Sequence, residues 1–348
     1  MSGPYALVFE PILKEKVWGG RRLARYGKRL GPGARVGESW ELADLVSTSA
    51  SGGGGGSALS VVANGALAGT TIGEAIERWG AELLGAQGLE RAHEMGEQSG
   101  AGRAVFPLLL KYLDAGEHLS VQAHPSPAYA ASHPGAHLKT ESWYIVEAEP
   151  GVMPGGGEVE PLIFKGLRAG VSADSFRAHA LDGTVAADLL AEPAVPGMCH
   201  TLPSGTVHAL GAGVLVAEVQ TPSDTTFRVY DWVSEYDRPA RELHLDQALA
   251  CIDFERPGAA AAVDARRGGR AASTAFYTID AVHGAARFEP DRAAAVMVTA
   301  GRGLLEGAGE PIELAAGVTA LVPACVAGGC ALSGGEGLRA LVIGLAGA

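Results

Sequence analysis

Hydrophobic and polar positions vary along this chain in short stretches, each closed by glycine or proline. Residues 106–113 (FPLLLKYL) read as a buried strand that stops at an Asp114-Ala115-Gly116 turn. A second strand over 118–124 ends at Pro125, and a third, over 142–147, is rich in aromatic and β-branched residues. The period changes over 71–84. There Ile72, Ala75, Ile76, Trp79 and Leu83 recur at helical spacing, with Glu and Arg on the other face. Residues 172–191 hold two further helical patches around a break at Gly183, the first starting at Ser172 or Asp174. Strand-and-turn texture returns after Pro196 as far as Trp232. Residues 256–273 (RPGAAAAVDARRGGRAAS) contain Val263 as their one large apolar residue and read as a linker. From 274 to 348 short apolar runs again alternate with glycine turns. The pattern predicts a mainly β chain in two parts. A larger unit over 1–255 carries helical insertions at about 71–85 and 172–191, and a smaller β unit over 274–348 follows the linker.

Composition sharpens this picture. Fifty of 348 residues are glycine, roughly twice the usual share, as many tight turns between short strands require. Gly52 to Gly56 is an unbroken run between serines; it has no side chains to bury and reads as surface loop. The formal net charge of −12 disfavours a general nucleic-acid binder, which needs a basic stripe. It does not exclude a local basic pocket for an anionic metabolite, because charge is screened within about 8 Å at physiological salt. No apolar run approaches the roughly 18 residues of a membrane span. The N-terminus lacks the pattern of a secretory signal, so a cytoplasmic location is expected. Cys199, Cys251, Cys325 and Cys330 are too sparse for a disulfide scaffold or a thiolate metal site and read as buried thiols.

The chemistry lies in a spacing that occurs twice. Five residues separate Gly116 from Gln122-Ala123-His124; on a strand Gln122 and His124 share a face. Five residues also separate Gly197 from Pro203-Ser204-Gly205-Thr206-Val207-His208, whose Pro-x-Gly turn aims His208 inward. Between them Lys139-Thr140-Glu141 leads into an aromatic strand. Two imidazoles, a carboxylate and a side-chain amide make a nitrogen and oxygen donor set without thiolate. Such a set suits Zn²⁺ with an open position, and Mn²⁺, Fe²⁺ or Co²⁺ as alternatives.

These are the spacings of the two cupin motifs, with Gln122 where the first histidine usually stands. The ordered series LLLKYLDAGEHLSVQAHPSP, KTE, PSGTVHALGAG and EVQTPSDTTFRVYDW resembles the type I mannose-6-phosphate isomerases. WGG, GESWEL, NGALAGTTIGEAI and FKGLRAGVSADSF fit the same family, so that the resemblance runs from about residue 8 to 255. It implies tandem cupin (double-stranded β-helix, jelly-roll) barrels with a small inserted helical region. It also implies metal ligation by Gln122, His124, Glu141 and His208, with Gln122 ranked below the other three. Lys111, Ser120, Lys139, Glu218 and Arg228 fall on polar residues of the family's sugar-phosphate pocket. Gly317 repeats the glycine spacing before Pro323, but no histidine follows. The C-terminal unit is therefore expected to be a cupin barrel without a metal site.

The implied reaction interconverts mannose 6-phosphate and fructose 6-phosphate through a cis-enediol(ate). Glu218 or a metal-bound water is the candidate base, Lys139 and Arg228 hold oxygen atoms or phosphate, and Lys111 with Ser120 anchors the phosphate. The competing readings are a non-catalytic cupin that binds a sugar or sugar phosphate, and a metal-dependent cupin oxygenase. Lys139, Glu218 and Arg228 beside a complete ligand set argue against a mere binding module, and the lysines and Gln122 argue mildly against an oxygenase. The expected partner is a small phosphosugar, with no nucleic acid or membrane, and the chain is read as a monomer or dimer.

Overall fold

The computed structural model describes residues 3–49, 55–133, 135–255 and 258–345. Most of the glycine run therefore lies outside the described residues. The larger unit is two antiparallel sheets. The first has seven strands in the order Val263–Asp264, Met198–Leu202, Glu141–Ala148, Val214–Gln220, Leu109–Asp114, Val36–Leu42 and Ile12–Gly20. The second has five, in the order Leu189–Pro193, Leu162–Leu167, His208–Leu210, Val121–Ala123 and Phe227–Tyr230.

Every residue of Val36–Leu42, Leu109–Asp114 and Val214–Gln220 is buried, which means that both faces of the seven-stranded sheet are covered. The period of two sorts the side chains. Leu110, Tyr112, Tyr144, Leu215, Ala217 and Val219 face outward into a core shared with Ile72, Ile76, Met297, Leu321 and Leu341. Leu113, Trp143, Ile145, Val214 and Val216 face inward and meet Ile163 and Leu210 of the five-stranded sheet. Lys111, Glu141 and Glu218 have the inward parity, so charged groups project between the two sheets.

The C-terminal unit repeats the two-sheet plan. Its six-stranded sheet runs Leu7–Val8, Thr319–Val322, Ala294–Ala300, Arg339–Leu345, Tyr277–His283 and Gly269–Ser273; its four-stranded sheet runs Ala285–Arg287, Ala331–Gly334, Arg302–Glu306 and Ile312–Ala315. Val296, Val298, Leu305, Leu314 and Leu332 fill the space between them. The architecture is mainly β, with the antiparallel sheets of cupin barrels. Among the described residues the C-terminal unit holds no group of His, Cys, Asp or Glu set to bind a metal.

Four expectations are corrected. The helical insertion does not stop near 85. After Ile72–Trp79, whose Thr71 and Glu74 form a capping box, a second helix spans Ala81–Ser99 with a break at Gly85. The region 172–191 contains one helix, Ala173–Asp182, then a single 3₁₀ turn over Val185–Asp188 that leads straight into the strand Leu189–Pro193. The stretch read as linker is partly ordered in sheets. Beyond residues 256 and 257, which lie outside the described residues, Val263–Asp264 pairs with Met198–Cys199, and Gly269–Ser273 pairs with Tyr277–His283. Backbone pairing needs no large side chains, and Ala271 and Ala272 are nonetheless buried. Cys199, Cys251 and Cys330 are buried free thiols, as expected, but Cys325 is exposed.

Two glycines of the repeated spacing have distinct physical reasons. A Cβ on Gly116 would lie 2.7 Å from the carbonyl oxygen of Gly19, so only glycine permits that backbone approach. Gly205 has φ +88°, a conformation other residues rarely adopt, and its N–H donates to the His124 carbonyl at 3.2 Å. That bond ties together the two segments that carry the imidazoles.

Arg22 fastens the first strands to the barrel. Its Nε and backbone N–H donate to the two carboxylate oxygens of Asp114 at 2.7 and 2.6 Å, and its Nη2 donates to the Ala115 and Val214 carbonyls. Asp114 is fully buried. Asp114→Ala strands the guanidinium, and is expected to cost about 3–5 kcal/mol, read as a lower denaturant midpoint. An unchanged midpoint would show that the ion pair contributes nothing.

Candidate metal centre and active-site pocket

His124 follows the strand Val121–Ala123, Glu141 opens Glu141–Ala148 and His208 opens His208–Leu210. The two sheets thus deliver three donors to one point between them. Glu141 Oε2 lies 3.4 Å from His124 Nε2 and Glu141 Oε1 lies 3.1 Å from His208 Nε2; the donor atoms all fall within 4.8 Å of one another. Donors around one tetrahedral zinc at bond lengths near 2.05 Å stand about 3.3 Å apart. The spacing fits.

Hydrogen bonding prepares the same set. His124 Nδ1 donates to the Thr225 carbonyl at 2.9 Å and His208 Nδ1 to the Thr206 carbonyl at 2.8 Å. Each bond fixes the tautomer and leaves the Nε2 lone pair directed inward. Burial, reinforced by the Lys139 charge, lowers the His124 pKa to about 3 and keeps that ring neutral. Both Glu141 oxygens are buried, and Oε2 is met by the Lys139 ammonium. Burial opposes the charge on Glu141, but Lys139 and the imidazoles more than offset it and hold its pKa well below the usual carboxylate range. Two directed lone pairs beside a buried carboxylate are the chemistry of a cation site. Gln122 stands opposite His208 on the adjacent strand, its Nε2 3.4 Å from His208 Nε2; half a turn of the carboxamide presents Oε1 instead. The Lys139 ammonium is 2.6 Å from Glu141 Oε2 and 3.0 Å from His124 Nε2, at the edge of the cluster.

A pocket opens beside the triad. It is lined by Lys111, Ser120, Gln122, Lys139, Glu218 and Arg228, which are the remaining candidates from the sequence. Trp40, Lys111, Glu218 and Trp143 occupy one row across four adjacent strands. Glu218 Oε1 lies 3.0 Å from Lys111 Nζ, and Glu218 Oε2 accepts from Trp143 Nε1 at 3.0 Å. The Trp143 ring meets His208 edge-on, with centroids 5.3 Å apart. Burial raises the Glu218 pKa; the Lys111 charge works against this rise and the Glu141 charge adds to it. A carboxylate so placed is a poised proton acceptor.

Mannose-6-phosphate isomerase ManA of Bacillus subtilis is 35% identical to this chain over 253 residues, which are 71% of this chain and 68% of the relative. The chain belongs to the mannose-6-phosphate isomerase family. The mannose-6-phosphate isomerase of Streptococcus mutans is 33% identical over 253 residues, 72% of this chain and 69% of its own. The solved structure of mannose 6-phosphate isomerase from Bacillus subtilis matches with a TM-score of 0.73 at 26% identity, covering 98% of this chain and 99% of the other. The apo form from Salmonella typhimurium, at 14% identity and a TM-score of 0.64, shares the fold over 99% of this chain and all of its own. No family model matches the chain. Among the described residues no helix is long and apolar enough to cross a membrane.

The mannose-6-phosphate isomerase pattern did not pick out four charged pocket residues: Lys16, Glu38, Asp224 and Arg241. Glu38 accepts from Trp40 Nε1 at 2.6 Å and pairs with Lys16 at 3.3 Å. Burial opposes its charge, but Lys16, Lys111 and the Trp40 indole more than offset that and bring its pKa to about 2. Its signal was available, since it lies in a seven-residue strand with Trp40 two places on. Ala212, where the general second motif ends in Asn, is wholly buried, and its N–H donates to His118 Nδ1 at 2.8 Å. A Cβ on Gly151 would meet its methyl at 2.6 Å, so this corner is packed without room for a longer side chain.

Proposed function

We propose that this chain interconverts mannose 6-phosphate and fructose 6-phosphate, moving a proton between C2 and C1. The observation that supports this best is the juxtaposition of two separate carboxylates. Glu141 faces the imidazole pair, while Glu218, with its raised pKa, faces the pocket between Lys111 and Trp143. His124, Glu141 and His208 would hold one divalent ion, Zn²⁺ by donor chemistry, with Gln122 as a fourth donor. Bound there, the ion would supply Lewis-acid polarisation of a substrate carbonyl.

The remaining work falls to the chain itself. Glu218 takes the proton from C2 of the aldose and returns it to C1, while the hydroxyl proton on O2 passes to O1. Trp143 and Lys111 fix the two oxygens of Glu218 so that the carboxylate is aimed before substrate arrives. Lys139 offers an ammonium to a substrate oxygen beside the ion, and Ser120 lines the approach. The phosphosugar substrate class is met in the cytoplasm, where we place the enzyme.

Purified protein is expected to contain about one metal ion per chain, to isomerise mannose 6-phosphate, to lose turnover on chelation and to regain it with Zn²⁺. Metal analysis and a coupled fructose 6-phosphate assay read all four. Turnover that survives complete chelation removes the ion from the mechanism, and metal-loaded protein without turnover removes the function.

A further inference from the structure

Among the described residues the C-terminal unit has no metal group of its own, yet it is bonded to the seven-stranded sheet in a regular way. On three strands of that sheet a charged residue faces the space between the two sheets, and the next residue faces the other way. The charged residues are Glu38, Lys111 and Glu141; Ser39, Tyr112 and Ser142 follow them. All three followers are fully buried, and each reaches the C-terminal unit through polar bonds.

Tyr112 Oη donates to the Val298 carbonyl at 2.9 Å. Ser142 Oγ lies 3.0 Å from Tyr277 Oη, and 3.0 Å from Thr201 Oγ1 on the neighbouring strand. Ser39 Oγ donates to Glu41 Oε1 at 2.5 Å, and the Lys28 ammonium donates to Glu41 Oε2 at 2.7 Å and to the Gly317 carbonyl at 2.7 Å. The Gly317 N–H in turn donates to the Val298 carbonyl at 2.8 Å. Glu218, on a fourth strand, is flanked by Ala217 and Val219, which share a core with Met297, Leu321 and Leu341 of the C-terminal unit.

Apolar contact alone would hold the two units together, but it tolerates sliding. A hydrogen bond has a length and a direction, and a buried polar group that misses its partner is costly. The links therefore fix the sheet in position as well as in contact. Tyr277 is fully buried, and burial raises its pKa well above the ordinary tyrosine range, so its hydroxyl keeps the proton.

We propose that the C-terminal unit is a template for the active-site sheet, with Tyr277 and Tyr112 as positioning residues. Tyr277 holds the strand that opens with Glu141, and Tyr112 holds the strand that carries Lys111; each acts through the neighbour that faces inward. The glycine spacing that ends at Gly317 without a histidine serves the same end, since the Gly317 carbonyl receives Lys28. This inference rests on the metal-centre and base assignments above, not on which phosphosugar is turned over.

The test uses the full chain. Tyr277→Phe is expected to raise the Zn²⁺ dissociation constant by about 3- to 10-fold, the scale of one buried hydrogen bond, read by competition with a chelator. In metal-free protein the amides of Glu141–Ala148 are expected to exchange hydrogen faster. Tyr112→Phe is expected to leave metal affinity unchanged and to lower kcat by about 3- to 10-fold at unchanged KM, because Lys111 fixes Glu218. Leu332→Ala, in the core between the two C-terminal sheets, is the comparison. It lowers the denaturant midpoint without touching either link, so Zn²⁺ affinity and kcat of the folded protein stay within about 2-fold. Wild-type affinity and exchange in Tyr277→Phe overturn the template and leave the metal centre in place. An equal loss of affinity in Leu332→Ala also overturns it, since lower stability then accounts for the effect. Wild-type protein that binds no Zn²⁺ overturns the metal-centre reading, and exchange in metal-free Tyr277→Phe still decides the template.

Discussion

Glu218→Gln lowers kcat by about 10²- to 10⁴-fold while the protein retains one metal ion per chain. The glutamine keeps the volume and can still accept from Trp143 Nε1, which reaches Glu218 Oε2 at 3.0 Å. Lys111 retains Glu38, 3.9 Å away, so the buried ammonium is not left without an anion. What disappears is the ability to accept a proton. The pH profile adds a second reading. A carboxyl whose pKa is raised is protonated, and idle as a base, up to a higher pH than an ordinary glutamate. Activity in the wild type is therefore expected to fall with decreasing pH along a limb set above the usual glutamate value, and Glu218→Gln removes that limb. Steady-state kcat across pH, with metal content measured on the same samples, decides it. Near-normal turnover by the metal-loaded variant excludes Glu218 as the base.

Glu141→Ala has a different signature. It removes the anion that faces both imidazoles, at 3.4 and 3.1 Å, so metal is expected to be lost on dialysis, and kcat to fall by about 10²- to 10³-fold or more. The magnitude follows from losing several kcal/mol of charge stabilisation at tenfold per 1.4 kcal/mol. The same substitution leaves the Lys139 ammonium, 5% exposed, without its carboxylate. A lower thermal midpoint is therefore expected even in metal-free protein, a loss that chelation of the wild type does not reproduce. If Glu141→Ala holds stoichiometric metal after dialysis, the triad is not the metal centre.

The residues of the triad were legible because strand parity and glycine spacing are local properties. Gly116 and Gly205 set the backbone, and the period of two then aims His124 and His208. The helix Ala81–Ser99 was not legible past its first turns. Its buried face is built largely from small residues, Gly85, Gly88, Ala92 and Gly96, which leave no apolar stripe to count. Close approach explains that face, since a Cβ on Gly96 would fall 1.9 Å from the Arg103 carbonyl oxygen. The strand Gly269–Ser273 escaped notice for a related reason, because alanines satisfy a ladder without announcing a core. Arg241 sits in a polar run, and its partner Asp231 lies ten residues earlier on another segment. No spacing rule pairs them.

Leu7–Val8 pairs with Ala320–Leu321, an edge strand inserted beside one made much later in the chain. During synthesis Leu7–Val8 leaves the ribosome long before its partner exists. Leu7 and Leu321 are 314 positions apart, about 15–60 s of elongation at roughly 5–20 residues per second. Leu7–Val8 must wait out that interval, and the six-stranded sheet cannot gain this edge until Thr319–Val322 has been made. The segment that carries the candidate metal ligands, Gln122 to His208, is thus complete while this early strand still has no partner.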